Sequence, residues 1–422
     1  MATDVLVVGS GGREHALAWK VAQSSRIGKL YVAPGNGGTR LIGENIPIQA
    51  DEITKLVNFA KEHSIGLTVV GPDNSLALGI VDAFQTEGLR IFGPSRLAAY
   101  IESSKAFSKK LMQEAGIPTA EFQIFTKYED ALLYVRERGA PIVVKASGLA
   151  LGKGVYVCET VGEAEEALKE IMVEHAHKDA GAEVVIEEFL DGEEISIHAL
   201  SDGKDFVMFP ASRDHKRIGE GNTGKNTGGM GTIAPVLEVD DSAMKEIQKA
   251  VVQPALDNLA SEGMPFSGLL YPGLKMTSRG PKVLEFNARF GDPETQVYMR
   301  LMKTDLLDIL EACADGKLAG KRIEWDSGFA VNVVLASGGY PDEYKKGFPI
   351  TGIEEAEKVQ GVVVFHAGTV YDGVLKTSGG RVLGVSAVGD TLKGAIEKAY
   401  TACDLINFEG KYFRRDIGAK AL

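Results

Sequence analysis

The sequence predicts a multidomain chain of mixed α/β and α+β class, with a parallel α/β unit first and a β-rich unit last. Three observations carry this. The chain has 422 residues, more than one hydrophobic core organises, so two to four domains are expected. Residues 1 to about 100 alternate strand and helix patterns, the signature of a parallel sheet with crossover helices. Beyond about residue 190, short strands outnumber helices.

In order, the pattern predicts strands at 4–8, 30–33, 67–70 and 91–92, with helices at 13–24, 53–63 and 75–87 between them. Each strand runs into a loop containing Gly or Pro, and open α/β sheets bind ligands at such carboxyl ends. A helix at about 105–115 follows. A smaller unit then holds strands 142–145, 155–158 and 184–187 and a helix near 163–174. A larger β-rich region has strands at 193–199, 206–210, 268–276 and 283–286 and a helix near 243–262. The last unit has strands at 330–336, 362–366 and 382–388 and a helix at 392–405. The expected domains are 1–103, 104–325 and 326–422, with a mobile subdomain at about 122–192.

Composition narrows the partners. The net charge of −12 argues against nucleic acid, which recruits basic faces. No apolar stretch is long enough to span a bilayer, and the chain passes from Met1 straight into a strand, which argues against a signal peptide. Three scattered cysteines suggest reduced thiols and a cytoplasmic setting.

The run Leu284-Glu285-Phe286-Asn287-Ala288-Arg289-Phe290-Gly291-Asp292-Pro293-Glu294 is the most informative. Period 2 places Glu285 and Asn287 on one strand face, and two hard oxygens there suit a divalent cation that bridges nucleotide phosphates. Arg289 continues that face, and Asp292 and Glu294 add acids at the turn.

Four other segments carry chemistry. Gly9-Ser10-Gly11-Gly12-Arg13-Glu14 follows a strand and opens a helix, so its backbone donors favour an anion. Glu14 stands where a dinucleotide fold has its third glycine, which argues against close packing of helix on strand. Lys145-Ala146-Ser147-Gly148-Leu149-Ala150-Leu151-Gly152-Lys153-Gly154 joins two strands as a glycine-rich flap. Its Lys145 and Lys153 could neutralise phosphates. At the end of the 184–187 strand, Glu187, the backbone of Phe189 and Leu190, and Glu194 could serve an adenine edge and a ribose. Finally, 214–231 is too polar to form core. It carries Asp214, Lys216 and the run Asn226-Thr227-Gly228-Gly229, and a long polar loop in a compact region is usually functional.

Taken in this order, with Pro34-Gly35-Asn36, Gly93-Pro94-Ser95, His366-Ala367-Gly368-Thr369, Gly379-Gly380-Arg381-Val382 and Arg415-Asp416-Ile417-Gly418, the segments resemble the glycinamide ribonucleotide synthetase family of the ATP-grasp superfamily. The resemblance covers essentially the whole chain. It implies an ATP-grasp fold between a Rossmann-like N-terminal domain of the biotin-carboxylase type and a C-terminal β-rich domain. It also implies a monomeric ligase of purine biosynthesis that uses ATP to join glycine to 5-phosphoribosylamine through a glycyl phosphate. Carried over by position, Lys105, Lys145, Gly148, Gly152 and Lys153 would cover the ATP phosphates, and Glu187, Phe189, Leu190 and Glu194 would hold adenosine. Glu285 and Asn287 would ligate Mg2+ or Mn2+. Asp214, Lys216, Arg289, Asp292, Glu294 and the loop Asn226, Thr227, Gly228, Gly229 would line the glycine and acyl-phosphate site. Gly11, Gly12, Arg13 and Asn36 would face the ribose phosphate.

The chain departs from the family pattern at Arg213, Asn222, Lys225 and Asp73-Asn74-Ser75, which bears on substrate affinity and loop rigidity. Three rival readings are another ATP-grasp carboxylate–amine ligase, an oxidoreductase on the N-terminal unit, and a non-catalytic nucleotide sensor.

Overall fold

The computed structural model describes residues 2–149, 154–176 and 178–422. The N-terminal sheet is parallel, in the order β3-β2-β1-β4-β5, from β1 (Thr3–Gly9), β2 (Ile27–Pro34), β3 (Glu44–Asn45), β4 (Leu67–Val70) and β5 (Ile91–Phe92). Val5 to Val8 of β1 are all buried, as a central strand covered on both faces requires. The predicted 75–87 helix is two helices, Asp73–Ala77 and Ile80–Thr86. Gly79, at φ +86°, adopts the left-handed conformation that breaks them apart.

A small antiparallel sheet, β6-β9-β7-β8, follows, from β6 (Phe122–Phe125), β7 (Ile142–Ala146), β8 (Val155–Cys158) and β9 (Val184–Glu188). Helices Tyr128–Arg138 and Val161–Met172 cover it, the second opened by a Thr160–Glu163 capping box. The first was not anticipated, because charges flank its apolar residues at both ends and only Ala131 and Val135 are buried.

A third sheet has the order β10-β17-β11-β12, from β10 (Glu193–Ser196), β11 (Ala199–Asp202), β12 (Phe206–Met208) and β17 (Ser267–Thr277), with β18 (Gly280–Asn287) paired to β17. The single strand predicted at 193–199 is thus two strands. The expected 243–262 helix contains a π turn, Gln248–Val252, ahead of Pro254. A wide turn accommodates a residue that lacks the N–H and crowds the carbonyl four back.

The C-terminal sheet orders β13-β16-β19-β23-β20, from β13 (Arg213–Asp214), β16 (Gly231–Ala234), β19 (Phe329–Ala336), β20 (Val362–His366) and β23 (Arg381–Gly389). Two hairpins stand apart, β14 (Arg217–Gly219) with β15 (Thr223–Asn226) and β21 (Thr369–Tyr371) with β22 (Leu375–Thr377). The polar 214–231 segment is therefore a strand, a hairpin and a strand. Helices Glu294–Leu301 and Leu306–Ala314, also unanticipated, pack under the core.

Leu274, fully buried on β17, ties the third sheet to the main core. Replacing it with Ala is expected to lower the unfolding free energy by about 2–5 kcal/mol, read as a fall in the urea midpoint at unchanged slope. Among the described residues, no helix is long and apolar enough to cross a membrane. Cys158, Cys313 and Cys403 are buried and unpaired.

Candidate active site

A cavity of about 630 Å³ opens between the small sheet, the β17–β18 pair and the 213–231 segment, and reaches Asp73 at the end of the parallel sheet. Its floor is β18, which carries a bulge. Gly273 pairs with Glu285 while Leu274 pairs with Val283, so Leu284 has no partner in the register. Leu284 therefore does not alternate with Glu285 and Asn287 across the two faces of the strand. Val283 and Phe286 enter the core, and Leu284, Glu285 and Asn287 line the cavity. The Leu284 carbonyl, freed by the bulge, accepts from Lys145 Nζ at 3.1 Å.

Lys145 is also paired with Glu187 Oε2 at 2.9 Å, and Lys109 reaches the same oxygen at 3.1 Å. Glu187 is thus the shared counter-ion of two buried lysines. Its Oε1 is buried and has no hydrogen-bond partner among the described residues. Burial pushes Lys109 down to about 8 despite Glu187, and burial likewise lowers Lys105. Lys105 lies at the start of helix Lys105–Glu114, whose Ser104 cap accepts from Phe107 N. Its ammonium is 3.4 Å from the Gly148 carbonyl. Past β9, Leu190 is buried and Phe189 is 40% exposed, and both line the cavity. Gly148 donates to the Ala180 carbonyl at 3.0 Å, and Gly152 and Lys153 lie outside the described residues.

On the opposite wall, Lys216 pairs with Glu194 and stands 3.8 Å from Glu285 Oε1. Burial alone would lift the Glu285 carboxyl, but Lys216, Lys105, Lys145 and Arg289 hold it down at about 2. Water in the cavity still reaches 31% of that side chain and screens part of the field. Asn287 Oδ1 accepts from Arg289 Nη2 at 3.3 Å. Among the described residues, no three His, Cys, Asp or Glu side chains converge as a metal cage. An ionised carboxylate and an amide oxygen on one wall do fit Mg2+, which takes one or two protein oxygens and completes its shell with phosphates and water.

Arg289 Nη2 also contacts Glu102 Oε1 at 3.1 Å, and Glu102 Oε2 accepts from the Ala288 amide at 2.7 Å. Asp292 is gripped by Arg381, Nη2 to Oδ2 at 2.8 Å and Nη1 to the Asp292 carbonyl at 2.7 Å. Arg381 donates to the Gly228 carbonyl as well. Burial would raise Asp292, and Arg381 and Arg13 overcome it. Glu294 accepts from Tyr271 at 2.6 Å and Ser196 at 3.1 Å. Burial and the nearby Glu294 push Asp214 well above the usual carboxylate range. Gly229, at φ +109°, lets the loop lie against Asp214 and Pro293. A Cβ there would meet them at 2.7 and 2.4 Å.

The amino-terminal glycine turn is built differently from expectation. Glu14 caps it, taking the Gly11 amide with Oε2 and Arg13 Nε with Oε1, each at 2.5 Å. The side chain sits under Gly9 and Gly71, where a Cβ would come within 2.6 and 1.9 Å of it, so the helix does pack closely on the strand. Arg13 Nη1 donates to the Phe290 carbonyl at 3.2 Å. Asn36 is occupied by the Ser10 and His366 carbonyls and the Gly38 and Thr39 amides. Gly11, Gly12, Arg13 and Asn36 thus stand outside the cavity lining. Gly12 borders it, since a Cβ there would lie 3.5 Å from Asp292 Oδ1. Sequence reasoning assigned no role to Arg381, Glu102 or Lys109. The Gly-Gly-Arg-Val run flagged Arg381, and no local signal marks the other two.

The flap sheet closing over β17–β18, with lysines from one side and the acid–amide pair from the other, defines an ATP-grasp fold. Biotin carboxylase from Campylobacter jejuni shares it at a TM-score of 0.74, with 14% identity over 99% of this chain and 94% of that one. The chain belongs to the phosphoribosylglycinamide synthetase family, whose N domain matches residues 3–102, ATP-grasp (A) domain 103–295 and C domain 330–420. A phosphoribosylamine–glycine ligase of Pasteurella multocida is 50% identical over 99% of this chain and 98% of its own. One from Caldanaerobacter subterraneus is 48% identical, over 98% and 99%. The crystal structure of the Thermotoga maritima phosphoribosylamine–glycine ligase superposes with a TM-score of 0.86 at 36% identity, covering 98% of this chain and 100% of that one.

Proposed function

We propose that this chain is the ATP-dependent ligase that joins glycine to 5-phosphoribosylamine in purine biosynthesis, giving glycinamide ribonucleotide, ADP and phosphate. Family membership over the whole chain carries the reading, and the cavity supports it. The glycine carboxylate attacks the γ-phosphate of ATP and ADP leaves, giving glycyl phosphate. The amine then attacks the acyl carbon, phosphate leaves and the amine loses a proton. Such chemistry needs positioning and charge neutralisation more than a protein nucleophile.

Lys105 and Lys145, held by the flap and the Leu284 carbonyl, neutralise the triphosphate. The hinge backbone at Phe189 and Leu190 meets the adenine edge, and Glu194 the ribose. Arg289, fixed by Glu102, offsets charge on the transferring phosphoryl group. Asp292 and Glu294, with Asp214 and the Asn226–Gly229 loop, orient glycine. Glu285 and Asn287 would hold Mg2+ or Mn2+, which lowers the charge of the phosphates when bound. Gly11 and Gly12 flank Asp292 and face the phosphoribosyl side. The family resemblance supports a monomer, and the buried free thiols fit a reducing cytoplasm.

The test is phosphate release by purified protein with ATP and Mg2+. Release is expected only when glycine and phosphoribosylamine are both supplied. Equal release with another acid or amine would favour a different ATP-grasp ligase, and no release with any pair a nucleotide sensor.

A further inference from the structure

Among the described residues the hairpin β14–β15 pairs with no other strand, and a two-stranded ribbon alone is marginal in water. Yet it leaves the chain directly after Lys216 and returns at Asn226 and Thr227, which line the cavity. Its cross-ties explain how it holds still. The Tyr412 hydroxyl donates to the Ile218 carbonyl at 2.8 Å, and Arg414 Nη1 to the Arg217 carbonyl at 2.9 Å. Arg414, only 2% exposed, forks onto Asp416 with two 2.8 Å bonds. Asp416 in turn takes the Gly221 amide at 2.9 Å. The Gly418 amide donates to His215 Nε2 at 3.1 Å while His215 Nδ1 faces the Gly231 carbonyl at 3.0 Å. Burial pushes His215 down to about 4, so Nε2 is bare at neutral pH and can accept.

This late segment is itself anchored in the C-terminal domain. Tyr412 bridges Ala336 on β19, and Tyr400 accepts from the Ile417 amide and donates to the Arg414 carbonyl. Arg414, Asp416 and Gly418 also line the cavity.

We propose that residues 412–418 are a positioning strap for the nucleotide site: Arg414 and Asp416 hold the β14–β15 hairpin, and through it Lys216, against Glu194 and Glu285. The C-terminal domain thereby helps to set ATP affinity, although the residues matched to the ATP-grasp domain end at 295. The exposed Lys225–Asp342 pair adds little, since such pairs are screened.

The inference rests on the ligase reading for its kinetics but not for nucleotide binding, which is measured separately. Arg414→Met and Tyr412→Phe are compared with wild type for KM of ATP, KM of glycine, nucleotide Kd by calorimetry with the full chain, and melting temperature. Loss of a charge-assisted fork is expected to raise the ATP KM and Kd at least about tenfold in Arg414→Met. Loss of one neutral hydrogen bond should raise them about threefold in Tyr412→Phe, with glycine KM within about twofold in both. Lys358→Ala, which removes an exposed pair with Glu355 away from the strap, should match wild type. Unchanged nucleotide Kd in the folded variants would overturn the proposal, as would ATP and glycine KM rising together with the loss of melting temperature. If Arg414→Met does not fold, Tyr412→Phe decides alone. A wild type that binds ATP but shows no glycine-dependent turnover would refute the ligase reading and leave the Kd comparison standing.

Discussion

Glu285→Gln is expected to cut kcat/KM for ATP by at least about 100-fold at limiting Mg2+ and to leave the fold intact. Even residues that only orient metal ligands cost 10- to 100-fold when changed, so a ligand itself should cost no less. Glutamine keeps the shape and one oxygen but removes the charge that four cations surround. Excess Mg2+ should recover part of the loss, and undiminished turnover at limiting Mg2+ would sink the assignment. Stability gives a second readout. The carboxyl sits at about 2, below the ordinary 4.5, so ionised Glu285 stabilises the folded chain above about pH 4.5. That contribution disappears as pH falls through 2. The gap in melting temperature between wild type and Glu285→Gln should therefore be widest near neutrality and narrow below pH 4.5.

Arg289→Met should lower kcat by about 10³-fold, the usual scale for losing a group that offsets phosphoryl transition-state charge. ATP KM should move less, because Lys105 and Lys145 remain. A KM rise without a kcat fall would show that Arg289 only binds substrate. The variant also strands Glu102. Burial already raises that carboxyl, against the pull of Arg289, and removing the guanidinium should raise it further. A carboxyl whose folded pKa exceeds its unfolded value binds more protons when folded, so stability falls as pH rises from the unfolded value through the folded one. Arg289→Met should thus lose more melting temperature relative to wild type at pH 7 than at pH 5.

Much of this arrangement was legible locally. Strand and helix periods placed β1, β4, β8, β20 and the 392–405 helix, and the spacing of Glu285 and Asn287 put both in the cavity. The failures share a cause. Sequence shows Glu14 just after Gly11-Gly12-Arg13, but not that its carboxylate turns back onto the Gly11 amide. It shows Asn36 in a glycine loop, but not the His366 carbonyl that claims it from 330 residues away. Partner choice among distant polar groups is a tertiary decision, and the lysine partners of Glu187 and the grip of Arg381 on Asp292 were not legible for that reason. The bulge at Leu284 is equally silent, because an extra residue in one strand leaves no mark until the facing strand is known.

That bulge has a consequence for mutational tolerance. Lys145 is held from below by a main-chain oxygen, which every residue type supplies. Side-chain exchange at position 284 cannot delete it, whereas exchange at 187 can. A saturation library should accept many residues of fitting size at 284 and few at 187, so one of the two supports of Lys145 is immune to single-codon change.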